Sequence, residues 1–232
     1  MNATPLTSAS LAGMIDHALL SPTLDEAAFE KGIATAIRYR TASVCIMPWY
    51  LRRCADALAG TGVKACTVIG FPHGGHTTAA KVREAEIALA DGGEELDMVI
   101  NIVAARSGRW DLVGEEIREV VGTAHAAGAK AKVIFENCYL DEGQKIRVCE
   151  LCAAAGADWV KTSTGFGTSG ALDDDLVLMR RHTPPEIQLK ASGGIRSFAR
   201  AKAILDLGVG VTRLGCSSTE AIVAEAIQAL GA

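Results

Sequence analysis

The sequence predicts an α/β protein whose strands and helices alternate eight times and close into a (β/α)8, or TIM, barrel. Three observations predict it. Short β-branched or apolar runs alternate with longer Ala-rich stretches of helical periodicity along the 232 residues. Gly falls just past the helical stretch, and just before a strand run, in Ala-Ala-Gly-Ala at 126–129, Ala-Ala-Gly-Ala at 154–157 and Asp-Leu-Gly-Val at 206–209. Eight such units over this length suit a closed parallel sheet ringed by helices. An open doubly wound sheet would need fewer units, or flanking strands that the pattern lacks.

The strand runs are residues 14–17, 43–47, 64–69, 96–102, 131–136, 159–162, 187–191 and 211–215. Helical stretches begin near Leu24, Trp49, Thr78, Trp110, Asp141, Asp173, Ser197 and Ser217. Several have N-terminal signals: Asp141 before Glu142, Asp173 before a Leu-rich stretch, and Ser217 and Ser218 before Glu220. No linker, charge block or low-complexity stretch interrupts the alternation, so residues 1–232 are expected to form one barrel domain.

Composition narrows the function classes. Hydrophobic residues make up 49% and charged residues 22%, as in ordinary globular proteins. The net charge of −4 implies neither a nucleic-acid surface nor a polybasic membrane patch. No apolar run is long enough to span a bilayer, and the N-terminus lacks the basic and apolar regions of a secretory signal. Seven cysteines, an odd and scattered set, suggest reduced thiols, so a cytoplasmic location is expected.

Two lysines stand where strands should hold apolar residues. Lys161 ends Asp-Trp-Val-Lys and Lys190 ends Ile-Gln-Leu-Lys, and each is followed by a Ser/Thr/Gly-rich turn. An ammonium facing a sheet interior is costly without a partner or a task. Two close together disfavour each other's charge, which favours a neutral amine able to attack a carbonyl. Either lysine alone reads equally well as an edge cation facing water; their shared context argues against that. In such barrels the chemistry gathers at the C-terminal strand ends, where both lysines fall on strands six and seven. Asp97 on strand four and Lys132 on strand five add two more strand charges. If these faces point inward, Asp97 and three lysines line the barrel mouth, and an Asp97–Lys132 contact would pair the buried charge.

The Gly-rich turns suit a phosphate. Ser192-Gly193-Gly194 follows strand seven, and Gly215-Cys216-Ser217-Ser218 follows strand eight, the usual barrel phosphate positions. Residues 165–170 fit G-x-G-x-x-G, but they follow the sixth strand and no acidic residue closes a second strand beyond them. An active-site loop after Lys161 explains them better than a dinucleotide site. Cys149 and Cys152 form C-x-x-C inside a helical stretch, which reads as helix packing. His73 and His76 lack a third ligand and read as a loop over the mouth. Cys45 reads as a small core residue of strand two, although a thiol turned toward an aldehyde site could react. Asp16, beside His17 on strand one, fits a structural role and a role in ordering the site equally well.

Four segments carry a resemblance. Val-Ile-Gly-Phe-Pro at 68–72, Glu-Leu-Asp-Met-Val-Ile-Asn at 95–101, Val-Lys-Thr-Ser-Thr-Gly-Phe-Gly at 160–167 and Leu-Lys-Ala-Ser-Gly-Gly-Ile-Arg at 189–196 match, in order and spacing, the deoxyribose-phosphate aldolase family. The chain resembles that family of class I aldolases over nearly its whole length. The resemblance implies that Lys161 forms the Schiff base, Lys190 is the second lysine that eases its deprotonation, and Asp97 is the acid/base group. It further implies that Lys132 and Asp16 belong to the inner polar network. Thr164 and Gly165 would contact substrate, while Gly193, Gly194, Gly215, Ser217 and Ser218 would bind phosphate. The implied reaction is reversible cleavage of 2-deoxy-D-ribose 5-phosphate to D-glyceraldehyde 3-phosphate and acetaldehyde. It needs no metal or organic cofactor, because the protonated imine is the electron sink. The implied partners are small sugar phosphates and aldehydes, with no nucleic acid or membrane, and a homodimer or larger homo-oligomer is left open. Ala18, Asn137, Ser169 and Leu172 depart from residues common in the family, and Gly231-Ala232 lacks the tyrosine-ended tail of some members.

Two other readings stay open on residues alone. One is a phosphate-binding barrel lyase or isomerase without imine chemistry, which borohydride trapping would distinguish. The other is a non-catalytic sugar-phosphate-binding barrel, which would release no acetaldehyde.

Overall fold

A computed structural model describes residues 5–231. Eight parallel strands, β1 (Ile15–Leu19), β2 (Ser43–Ile46), β3 (Lys64–Ile69), β4 (Glu95–Val99), β5 (Lys130–Ile134), β6 (Trp159–Lys161), β7 (Gln188–Ser192) and β8 (Val211–Cys216), pair in chain order. β8 returns to β1 and closes the barrel, so the expected (β/α)8 class is the observed one.

The helices are α1 (Ser8–Ala12), α2 (Glu26–Tyr39), α3 (Leu51–Leu58), α4 (Thr78–Ala90), α5 (Ile102–Arg106), α6 (Trp110–Ala126), α7 (Glu142–Ala155), α8 (Asp173–Arg181), α9 (Phe198–Asp206) and α10 (Thr219–Leu230). Their starts follow cap chemistry. Asp25, Thr77 and Ser197 each accept a backbone N–H of the first turn, and Asp141 forms a reciprocal capping box with Gln144. Gly156, at φ 69°, ends α7 in the left-handed conformation that a Cβ disfavours.

The structure corrects several boundaries. The fourth strand run, expected to reach residue 102, stops at Val99 because the Asn101 side chain accepts the Ala104 N–H and starts α5. The fifth, expected through residue 136, stops at Ile134, and Glu136 takes a left-handed φ of 54°. The segment after β2 opens with a 3-10 turn at Pro48–Tyr50 before α3, and α1 was not expected.

Strand alternation sorts the side chains into two layers. Val44, Leu96, Val133, Val160 and Leu189 face outward and are fully buried in the main apolar cluster beneath the helices. Each such side chain contributes about 1.5–3 kcal/mol of burial free energy. The inward layer is unusual. It places Asp16, Ser43, Cys45, Cys66, Asp97, Lys132, Lys161 and Lys190 inside the barrel, all buried. Barrel interiors are ordinarily filled by branched aliphatic residues; here the apolar part is a small cluster around Leu20, Cys45, Cys66 and Val68.

One buried pair stands outside this layer. Lys81 Nζ donates to Glu116 Oε2 at 2.6 Å and to the Val99 carbonyl at 2.8 Å, while Glu116 also accepts the Asn101 N–H. The pair therefore fixes the chain where β4 becomes α5. Among the described residues no helix is long and apolar enough to cross a membrane.

Candidate active site

Register brings the charged residues together. Lys161 lies opposite Lys190 across β6 and β7, and Asp97 lies opposite Lys132 across β4 and β5. The Asp97–Lys132 contact expected from sequence is present at 2.8 Å. Asp97 Oδ2 also accepts from Lys161 Nζ at 2.7 Å and Lys190 Nζ at 2.6 Å. All three lysines thus converge on one carboxylate.

A wider network supports that carboxylate. Asp16 Oδ2 lies 2.5 Å from Lys190 Nζ and 3.8 Å from Lys132 Nζ, and its Oδ1 accepts from Ser43 and Arg213. Glu95 pairs with Lys132 at 2.5 Å and Arg213 at 2.7 Å. Four cationic side chains therefore share three carboxylates, a surplus of one positive charge when all are ionised. The lysines are not equally compensated. At ion-pair distance Lys132 faces three carboxylates, Lys190 faces two and Lys161 faces Asp97 alone, with Glu136 farther off but close enough to interact with the Lys161 charge.

The electrostatics follow from this packing. Burial opposes ionisation of Asp97, but Lys132, Lys161 and Lys190 outweigh it and hold the carboxyl well below the usual range. Asp16 is also held down, against its burial, chiefly by Lys190 and Lys132. Burial would neutralise Lys190, but Asp16 and Asp97 reverse the effect and raise it above an ordinary lysine. Lys132 is raised in the same way, chiefly by Asp97.

Above this layer opens a cavity of about 460 Å³. Lys161 and Lys190 form part of its lining, with Asp16, Cys45, Thr164 and Gly165. The same lining includes Gly193, Gly194, Arg196, Gly215 and Ser217. Gly215 is required by close approach: a Cβ there would stand 2.6 Å from Ser192 Oγ and 3.2 Å from Lys190 Cε. The loop after β6 is tied back by Glu136, which accepts from the Thr164 hydroxyl and backbone N–H. Phe166 on this loop packs edge-on against Phe71, with ring centroids 5.4 Å apart.

Most residues singled out in the sequence meet at this mouth; three do not line it. Lys132 is fully buried beneath it, in contact with Asp97 and Asp16, and Ser218 lines a second cleft beside α2 and α10. Asp97 also lies below the cavity surface, in contact with both lysines that line it. Asp16 proves to be part of the charge network. His17 points the other way, toward Thr219 at 2.8 Å, and burial lowers its pKa to about 4. Cys149 and Cys152 are buried on α7 as expected, with burial pushing Cys149 up to about 12. His73 and His76 are exposed in the loop after β3.

Sequence reasoning missed Glu95, Arg213, Arg196 and Glu136. Glu95 and Arg213 were legible in principle as strand charges two residues from an inward position. Arg196, a cation just past a Gly-Gly turn, carried an anion-site signal. Nothing in the sequence marks Glu136 as a left-handed residue.

Comparison with known proteins gives one consistent result. Residues 11–209 match the DeoC/LacD family aldolase profile. A deoxyribose-phosphate aldolase of Rhodopirellula baltica is 58% identical over 218 residues, covering 94% of this chain and 90% of the relative. One from Thermococcus gammatolerans is 47% identical over 215 residues, covering 92% of this chain and 95% of the relative. Among solved structures, an aldolase called QR15 superposes with TM-score 0.87 at 36% identity, covering 94% of this chain and 96% of the other. A deoxyribose phosphate aldolase from Aeropyrum pernix, described as tetrameric, superposes with TM-score 0.86 at 32% identity, covering 94% and 91%.

Proposed function

The chain belongs to the DeoC/LacD family of aldolases, and from that premise we propose that it cleaves 2-deoxy-D-ribose 5-phosphate reversibly to D-glyceraldehyde 3-phosphate and acetaldehyde through an imine on Lys161. One observation carries the assignment of the nucleophile: Lys161 faces the cavity and has a single carboxylate partner, whereas Lys190 has two. Neutral Lys161 costs the network one ion pair and relieves its surplus positive charge. Neutral Lys190 would leave both Asp16 and Asp97 short of a partner.

The steps follow from these positions. The Lys161 amine attacks the substrate aldehyde, and the carbinolamine loses water to give an iminium ion. A base takes the proton of the C3 hydroxyl, the C2–C3 bond breaks, and its electrons pass to the iminium as an enamine. Asp97 fills the role of base through a water or through Lys190, whose ammonium it already holds. Protonation at C2 and hydrolysis release acetaldehyde. Thr164 and Gly165 wall the substrate channel. Gly193, Gly194, Gly215 and Ser217, with Arg196 beside them, offer the phosphate backbone N–H groups and one positive charge. Ser218, at the start of α10, contributes through the helix N-terminus, and Lys132 and Asp16 keep Asp97 and Lys190 ionised.

Within this reading the chain acts as one barrel domain in the cytoplasm, which its seven unpaired cysteines support. A homo-oligomer belongs to the same reading, by extension from the tetrameric Aeropyrum pernix enzyme. The test is borohydride treatment with 2-deoxy-D-ribose 5-phosphate or acetaldehyde, followed by peptide mapping. A reduced two-carbon adduct on Lys161, together with acetaldehyde release, is expected. Substrate cleavage without any lysine adduct would overturn the imine route.

A further inference from the structure

Two thiols inside the barrel take no part in the reaction above. Cys45 on β2 and Cys66 on β3 are direct register partners on adjacent parallel strands. Neighbouring strands lie about 4.7–4.9 Å apart, inside the Cα–Cα range of about 4.4–6.8 Å that a disulfide spans. Both side chains point into the barrel, because both meet Asp97: Cys66 Sγ donates to Oδ1 at 3.3 Å, and Cys45 Sγ approaches Oδ2 at 3.9 Å. The two sulfurs and a carboxylate oxygen of Asp97 all lie within 4.8 Å of one another. The thiols differ in access. Cys45 lines the cavity, whereas Cys66 is sealed behind it.

We propose that Cys45 and Cys66 are a modification site, a thiol pair that a hydroperoxide entering the substrate cavity converts to a reversible disulfide. Cys45 is the attacking sulfur. Its pKa is lowered, first by its contact with the Cys66 thiol and further by Lys190 and Lys161, against its burial and the Asp97 carboxylate. Cys66, raised by its burial, is the resolving thiol. In the first step the Cys45 thiolate attacks the peroxide, an S–O bond forms and the O–O bond breaks. The departing hydroxide takes up the thiol proton as water; Cys45 is oxidised to a sulfenic acid and the peroxide is reduced. In the second step Cys66 sulfur attacks the sulfenic sulfur, the S–S bond forms, the S–O bond breaks, and a second water leaves with the Cys66 proton. Two thiols and one hydrogen peroxide thus give one disulfide and two waters.

The consequence for the site is direct. Closing the bond consumes the Cys66 S–H that Asp97 accepts. Asp97 is the carboxylate that holds Lys161 and Lys190, so the oxidised form loses activity that a dithiol reductant restores.

The experiment treats the folded protein with stoichiometric hydrogen peroxide, blocks free thiols by alkylation and maps tryptic peptides without reduction. Cys45 and Cys66 fall in separate tryptic peptides, 41–52 and 65–81, and Cys54 falls in a third. The expected product is a 41–52/65–81 cross-link, lighter than the sum of the two peptides by two hydrogens, formed in step with activity loss and removed by dithiothreitol. Prior saturation with 2-deoxy-D-ribose 5-phosphate slows it. Cys66→Ser gives instead a Cys45 sulfenic acid, captured by dimedone, and no cross-link. A cross-link from Cys45 to Cys216, the other cavity cysteine, would overturn the proposal. So would complete alkylation of both thiols after peroxide has abolished activity. The cross-link is read by mass, so its presence or absence does not depend on the aldolase reading.

Discussion

Lys161 and Lys190 occupy facing positions on neighbouring strands, and their ammonium groups share one oxygen of Asp97, at 2.7 and 2.6 Å. The sharing is unequal because Lys190 also meets Asp16 and Lys161 does not. Withdrawing Lys161 from the network therefore breaks one ion pair, where withdrawing Lys190 would break two.

Lys161→Arg tests the nucleophile. The guanidinium keeps the charge opposite Asp97 but cannot form an imine under these conditions. Cleavage of 2-deoxy-D-ribose 5-phosphate falls by orders of magnitude, and borohydride with acetaldehyde leaves the protein mass unchanged. A reduced adduct that persists on the variant would move the imine to another lysine.

Gly194→Glu tests the phosphate turn. Gly194 lines the cavity at φ 79°, and a Cβ there meets nothing within 4 Å, so the added carboxylate projects into open space beside Arg196. The positive φ costs about 1–2 kcal/mol of stability for a residue with a Cβ. KM for the phosphorylated sugar rises far more than KM for 2-deoxyribose. Gly194→Ala carries the same backbone strain without the charge and supplies the control. Equal changes for both sugars in Gly194→Glu would detach this turn from the phosphate.

The alternation of strands and helices made the barrel legible, because both periodicities are local and each unit repeats them. The two lysines and Asp97 were legible for a related reason: a charge inside an apolar strand run is locally anomalous. What stayed hidden depended on distant partners. Arg213 and Glu95 matter because β8 and β4 face each other across the barrel, a relation no window of sequence contains. Glu136 became a loop anchor only through its left-handed backbone and its bonds to Thr164, 28 residues away. Lys81 reads as one more helix cation until Glu116, 35 residues on, is seen to bury it.

That last pair gives a stability prediction separate from catalysis. Lys81→Met leaves Glu116 buried with only the Asn101 N–H, which costs about 3–5 kcal/mol in urea unfolding. The double variant Lys81→Met/Glu116→Leu recovers most of the loss, since no charge is stranded. Both variants keep imine formation per folded molecule at low temperature. A single variant as stable as the parent would mean that the pair is already uncompensated.

Acid stability follows from the lowered carboxyls. Asp97 and Asp16 have folded pKa values below the unfolded Asp value of about 3.9. Their contribution is therefore complete above that value and declines as pH falls below it toward the folded values. Asp97→Asn removes this group's share, so the unfolding free energy of the variant falls less steeply than the parent's through the region around pH 4. Parallel curves for the two proteins would show that Asp97 is not coupled to folding in this way.

Lys190→Leu separates charge balance from proton transfer. Lys190 is raised above an ordinary lysine because Asp16 and Asp97 outweigh its burial, so it remains a cation throughout the neutral range. Removing it leaves Asp16 and Asp97 with one cation fewer. The two carboxylates then hold the remaining lysine that faces the cavity more tightly, and imine formation is expected to need a higher pH than in the parent. Lys190→Arg keeps the cation and so keeps the pH requirement, even where its bulkier head slows the reaction. The quantity to follow is the rate of trapped imine from acetaldehyde against pH, read by protein mass. Turnover is a poorer measure because it also includes the later proton transfers. An alkaline shift in Lys190→Leu that is absent in Lys190→Arg supports the charge account. A lower amplitude with an unmoved profile in Lys190→Leu would confine Lys190 to proton transfer or positioning, and the surplus cation would then have no part in activating Lys161.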